Sequence, residues 1–315
     1  MNYTHPVYRP PFEANSLLLQ VTAGCSHNKC AFCSMYRNVP FHVEQIEQIE
    51  KDLAEARLLY PRVRRVFLVS GDPFVLKADQ LSRIAEKIKN HLPEVETIAM
   101  YGSIVNIASK SDEELKALRS LSINDLNIGL ESGLPSVVKD LHKGFTIEQA
   151  KIQIQRLAAA GFDFSLNIII GAAGSTLWEA NALASAKIVN ELKPHLIFVA
   201  ALHLEEDCEL ATRLQQGLFT ENTLRENIDE EIVFLENIEL DRTRFFAVHP
   251  SNAIPVDGFL PEDKGKLLKI LKNGRDSIEA KWLNARNTSL VKGGEGRILL
   301  NSQRSDTSPC CPIPQ

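Results

Sequence analysis

A chain of 315 residues, 44% hydrophobic and 24% charged, has the balance of a globular protein with a sizeable core, which excludes a disordered or fibrous one. Its formal net charge of −5 with the histidines neutral gives no electrostatic reason to expect nucleic acid as a partner. The longest apolar run, 164–173, falls well short of the roughly 20 residues a spanning helix needs, and residues 1–11 lack the apolar stretch of a signal peptide, so we expect no membrane association and a cytoplasmic location.

In chain order, residues 1–15 read as an irregular lead-in, and 17–22 is a short apolar run that fits a buried strand. A cysteine-rich loop follows at once. Ile46, Ile49, Leu53, Ala56 and Leu59 recur at helical spacing, which predicts a helix over 44–59. A strand at 66–69 is closed by Ser70-Gly71-Asp72-Pro73. A helix at 80–88, a strand at 97–100 and a helix at 112–118 come next, the last with Ser111 as N-cap and Glu114 at the matching third position. A strand is predicted at 126–130, then a helix at 147–160 that Gly161 can end. A strand at 164–170, a helix at 177–192 ahead of Pro194, a strand at 196–201 and a helix at 224–235 complete the series.

Six strand-then-helix units imply an α/β fold with a parallel sheet and right-handed crossovers. Near-continuous apolar strands, such as 166–170, fit a sheet covered on both faces. Beyond the sixth unit the pattern predicts a strand at 244–248 and helices at 261–271 and 277–283, then a polar stretch from Gly293 onward. The expected organisation is a lead-in (1–15), a core (16–240), a C-terminal strand with helices (241–290) and a flexible tail (291–315).

Three of the six cysteines fall in one short loop, Cys25-Ser26-His27-Asn28-Lys29-Cys30-Ala31-Phe32-Cys33. In a long chain read as cytoplasmic, that favours metal binding or catalysis over disulfides. Thiolates are the usual ligands of iron–sulfur clusters, and four complete a cubane. With three local cysteines, one iron is left for a substrate or cofactor. The loop follows the first strand, so it sits at the carboxyl end of a parallel sheet, where active sites of such barrels lie. The alternative is a structural zinc site with His27 as fourth ligand to Cys25, Cys30 and Cys33, in a zinc-stabilised α/β binding protein without redox chemistry.

With Phe32 just before the last cysteine, this loop resembles that of the radical S-adenosylmethionine superfamily, although its first gap has four residues where three are usual. The likeness continues at Ser70-Gly71-Asp72-Pro73, similar to the glycine-rich motif that contacts the cofactor's methionine amino group. Gly129-Leu130-Glu131-Ser132-Gly133 is similar to the stretch found in the branch of methylthiotransferases and oxygen-independent coproporphyrinogen dehydrogenase, where the position matching Glu131 lies near the cofactor ribose. Lys143, in His142-Lys143-Gly144, matches a basic position near the cofactor carboxylate. Asn167, Ile169 and Gly171 fall where the family places residues beside the adenine, with Asn167 in place of a common glycine and Gly174 in place of a common glutamate.

The resemblance implies a partial six-unit (βα)6 barrel with a small C-terminal extension. It implies a [4Fe-4S] cluster on Cys25, Cys30 and Cys33, and S-adenosylmethionine held by Phe32, Ser70, Gly71, Asp72, Glu131, Ser132, Lys143, Asn167, Ile169 and Gly171. The reaction implied is reductive cleavage of the cofactor to a 5′-deoxyadenosyl radical that acts on a substrate, small or otherwise. An external electron donor of the flavodoxin or ferredoxin type is the expected partner. His203 after the sixth strand, and His249 with Asn252 after the late strand, are candidate substrate or proton-transfer residues. The bland reading of His249-Pro250-Ser251-Asn252 is a turn, that of Glu205-Glu206-Asp207 a solvated charge run, and that of Cys208 a structural thiol. No second cysteine trio is present, so no auxiliary cluster is expected.

Overall fold

The computed structural model describes residues 1–205 and 207–286. The expected tail with Cys310 and Cys311, and Glu206 of the acidic run, lie outside the described residues. The strands are β1 (Leu17–Gln20), β2 (Thr22–Ala23), β3 (His42–Val43), β4 (Arg65–Val69), β5 (Thr97–Gly102), β6 (Ile123–Glu131), β7 (Phe164–Ile170), β8 (Leu196–Ala201), β9 (Thr243–Phe246) and β10 (Asp257–Leu260). The helices are α1 (Ile46–Leu59), α2 (Ala78–His91), α3 (Ile104–Ala108), α4 (Asp112–Ser120), α5 (Pro135–Asp140), α6 (Ile147–Ala159), α7 (Trp178–Leu192), α8 (Glu209–Gln215), α9 (Leu224–Glu236), α10 (Lys264–Ser277) and α11 (Ala280–Leu283).

The chain divides into two compact units, Met1–Gly129 with Gly144–Ser165, and Leu130–Lys143 with the chain from Leu166 onward. In the first unit the strands run in the order β1, β4, β5, β6, and each neighbouring pair is parallel. All four residues of β1 and four of the five in β4 are buried. Such strands need cover on both faces, which their apolar sequence supplies. α2 buries Leu81, Ile84, Ala85 and Ile88, one stripe at helical spacing. Ser111 caps α4 as expected, its hydroxyl accepting from the Glu114 N–H while the Glu114 carboxylate accepts from the Ser111 N–H.

In the second unit the order is β7, β8, β9, β10, with β9 parallel to β8 and antiparallel to β10. The late strand expected at 244–248 is therefore β9, which continues the parallel run. On β7, Leu166, Ile168 and Ile170 are buried while Asn167 and Ile169 are half-buried, so the two faces have different cover. The sequence reading missed β2, β3, α3, α5, α8 and β10, each too short for a periodic pattern to register. Among the described residues, no helix is long and apolar enough to cross a membrane.

Candidate functional site

In the first unit, β2 pairs antiparallel with β3, Thr22 opposite Val43 and Ala23 opposite His42. This pairing clips the ends of the 24–41 loop together beside the end of β1. Gly24 leaves β2 at φ +71, and its carbonyl accepts the Gly71 N–H at 2.9 Å. Only a residue without a side chain fits at Gly71, because a Cβ there would lie 2.4 Å from the Cys25 Cβ and 2.8 Å from its Cα. Ser70 sits at φ +88, and its hydroxyl donates to the Thr22 carbonyl at 2.6 Å. The turn after β4 is thus stitched to the strand that launches the cysteine loop.

Asp72 adds a third stitch. Its buried carboxylate accepts the Ser26 N–H at 2.9 Å and the Ser26 hydroxyl at 2.5 Å. Burial raises the Asp72 carboxyl above its usual range, while the bonds from Ser26 and Asn106 oppose the shift. Lys110, also buried, donates to the Phe74 carbonyl at 2.6 Å and anchors the far end of the same turn. Burial pulls that lysine down to about 8. The resemblance implied a cofactor contact for Asp72, and its carboxylate oxygens hold Ser26, the residue after Cys25.

Cys25, Cys30 and Cys33 are all half-buried, and none is in a disulfide. Burial, and then the Asp72 carboxylate, pushes the Cys25 thiol up to about 11, so a bound cation is what would favour its thiolate. Among the described residues, no three His, Cys, Asp or Glu side chains converge at single-ion distances. A cubane places its thiolates on separate iron corners and does not need that convergence. A clipped loop with three half-buried thiols, and a glycine that leaves room against the first, fits a cluster held by three cysteines. Tyr36, on the loop itself, is buried and edge-on to His5 and Tyr8. Phe32 is half-buried on the loop.

The second unit holds the other expected contacts. Glu131, at φ +67, accepts from Lys143 Nζ at 2.9 Å, with the two side chains 9% and 11% exposed. Ser132 turns its buried hydroxyl to the helix layer, donating to Asn181 Oδ1 at 2.5 Å and accepting the Leu134 N–H at 2.9 Å. Gly133 lies against α7 so closely that a Cβ would meet the Ala184 carbonyl oxygen at 2.3 Å. Gly171 turns out of β7 at φ +85, and its N–H is taken by Glu230 at 2.9 Å. Asn167 Oδ1 is buried without a hydrogen-bond partner, which leaves an acceptor for a ligand on the strand where adenine contacts are expected.

The three substrate candidates fare differently. Asn252 is buried and its amide is fully committed, accepting the Ala201 N–H at 2.7 Å and donating to the carbonyls of Val199 and Ala247 at 3.0 and 2.8 Å. It staples the end of β8 to the chain after β9, which corrects its reading as a substrate contact. His249 is half-buried, edge-on to Phe198 at 5.9 Å, with Nδ1 2.7 Å from the Ser251 hydroxyl. Burial, then His203, lowers its pKa. His203 is exposed, 3.6 Å from Glu205. Cys208 caps α8, its sulfur accepting the Ala211 N–H at 3.4 Å. The residues that sequence reasoning missed are Asn181, Asn222 and Glu230, which carried no motif.

Solved structures share this architecture. The archaeal Methanocaldococcus infernus Elp3 with an N-terminal deletion matches with a TM-score of 0.54 at 14% identity, over 84% of this chain and 64% of that one. The FeFe-hydrogenase maturase HydG from Carboxydothermus hydrogenoformans matches at 0.52 and 16% identity, over 81% and 56%. Coproporphyrinogen III oxidase (HemN) from Escherichia coli, described as a radical SAM enzyme, matches at 0.51 and 18% identity, over 70% and 52%. These likenesses define the class by fold: an α/β protein with a mostly parallel sheet, the partial barrel that the resemblance implied. The chain belongs to the Radical SAM superfamily, whose model matches residues 19–185, more than half of its length. Curated relatives are the heme chaperone HemW of Lactococcus lactis subsp. lactis (strain IL1403), 25% identical over 62% of this chain and 51% of that protein, and HemW of Mycobacterium tuberculosis (strain ATCC 25618 / H37Rv), 21% identical over 60% and 50%. The chain spans about half the length of the curated relatives it matches.

Proposed function

We propose that the protein binds a [4Fe-4S] cluster through Cys25, Cys30 and Cys33, binds S-adenosylmethionine, and works as a radical enzyme. The observation that carries this reading is the stitched cysteine loop: Gly24, Gly71 and Asp72 hold Cys25 and Ser26 by backbone contact and hydrogen bonds. When bound, cluster and cofactor together supply one-electron cleavage of the cofactor to a 5′-deoxyadenosyl radical. The chain's own residues bind and orient. Gly71 lets the backbone approach, Lys143 offers a cation to the cofactor carboxylate, Glu131 offers an acceptor for the ribose, and Asn167 and Ile169 line the adenine. His249 and His203 are left for the substrate. A flavodoxin- or ferredoxin-type protein supplies electrons.

Anaerobic reconstitution tests the reading. About four irons and four sulfides per chain, as a cubane requires, with dithionite-dependent 5′-deoxyadenosine, support it. Cys30→Ala should lose most of the iron and all cofactor cleavage. One zinc per chain without cofactor cleavage would overturn it in favour of a zinc-stabilised binding protein.

A second reading, that the protein carries heme, follows from the name of the heme chaperone relatives. In it His249, edge-on to the Phe198 ring, is the candidate iron ligand, and ligation through Nε2 would require Nδ1 to stop accepting the Ser251 N–H and carry the ring proton instead. Hemin titration tests it: a Soret shift that His249→Ala removes supports carriage, and a shift that persists overturns the role of His249.

A further inference from the structure

Glu230 is buried at the hub of four segments of the second unit. Its Oε1 accepts from Asn181 Nδ2 of α7 at 2.8 Å. Its Oε2 accepts from the Gly171 N–H at 2.9 Å and from Asn222 Nδ2 at 2.8 Å. Asn181 in turn receives the Ser132 hydroxyl. One carboxylate therefore ties the turn after β7 directly, and the turn after β6 through a single intermediary. Gly171 cannot be held by a side chain of its own, since a Cβ there would lie 2.9 Å from Asn227 Oδ1. It sits at φ +85, and its buried N–H needs an acceptor.

We propose that Glu230 is a positioning residue for the nucleoside end of the cofactor, its carboxylate holding the Gly171 turn and the Glu131–Ser132 turn in one register. The proposal rests on the cofactor reading above, in which those two turns face adenine and ribose. All three donors aimed at Glu230 are N–H groups. Protonation would put a hydroxyl where an acceptor is needed and displace at least one of them. Burial raises the Glu230 carboxyl to about 7, against the opposing bonds from Asn181, Gly171 and Asn222. On its own helix, Glu226 adds negative charge, while burial raises Glu231 to about 8 and keeps it largely protonated at neutrality. From α10, Arg275 and Lys272 pair with Asp229 and Glu236 instead, and from α7 the facing group is the neutral Asn181. The register should therefore loosen as pH falls through neutrality.

The test is calorimetric binding of S-adenosylmethionine to oxidised, cluster-loaded protein without reductant, at several pH values between about 6 and about 8.5. The ligand's own α-amino group titrates near pH 8, so the readout is the ratio of variant to wild-type affinity. Glu230→Gln, which can accept on only one side, should bind about tenfold more weakly at the alkaline end, with the ratio closing towards one at the acid end. Asn222→Ala keeps the carboxylate and removes one donor, so the pH midpoint of binding should move upward. Binding by Glu230→Gln that matches wild type at every pH overturns the proposal. Should Glu230→Gln not fold, an unmoved midpoint in Asn222→Ala overturns it. Failure of wild type itself to bind the cofactor would overturn the cofactor reading, a different result.

Discussion

Gly71→Ala is the sharpest perturbation the first unit offers. The added methyl would sit 2.4 Å from the Cys25 Cβ, 2.8 Å from its Cα and 3.0 Å from its sulfur. Carbon atoms rest at about 3.5–4.0 Å apart, so the overlap exceeds an ångström and falls on backbone as well as side chain. Gly71 has no positive φ, so alanine carries no dihedral strain and the cost is steric alone. Overpacking of this kind costs about 1–3 kcal/mol, equivalent to roughly 5- to 150-fold in the population of the competent loop. The strain falls on Cys25 and on the Gly71–Gly24 bond, so cluster assembly should suffer more than global stability. Iron content and cubane absorbance after anaerobic reconstitution measure the first, and thermal melting measures the second. Gly265→Ala is the control, because nothing lies within 4 Å of its Cβ position and alanine favours a helix. Full iron loading and wild-type cofactor cleavage by Gly71→Ala would refute the idea that close approach at Gly71 places Cys25.

Glu231 is fully buried with Oε1 unpartnered, and burial, then Glu230, raises it to about 8. The folded state holds its proton above the unfolded value of 4.5, so its stabilising contribution is present at low pH and is lost as pH rises to about 8. Glu231→Gln should therefore melt higher than wild type near pH 8.5, with the difference shrinking towards pH 5; a pH-independent difference counts against this. Asn252→Ala removes three hydrogen bonds, each worth about 0.5–1.5 kcal/mol, and should lower the melting temperature by several degrees while S-adenosylmethionine affinity stays unchanged; an unmoved melting temperature would refute the structural role of Asn252. Lys143→Met strands the buried Glu131 carboxylate, a loss of about 3–5 kcal/mol. Adding Glu131→Gln should restore stability in denaturant melts but not cofactor binding, and recovery of both would remove the pair from the site.

The chain's own order of residues determined the six strand-then-helix units, the capped start of α4 and the cysteine trio, because periodicity, caps and ligand spacing are local patterns. It also supplied Gly71 and Gly171, whose small size marks a turn or close approach but does not say against what. Only the tertiary structure decided that Asp72 grips Ser26, that Ser132 and Asn252 serve neighbouring backbone and helix, and that Glu230 gathers donors from 49 and 59 residues away. A hydrogen bond between distant segments leaves no periodic trace in sequence. The polar residues that make it look like surface residues until burial forces each to find a partner.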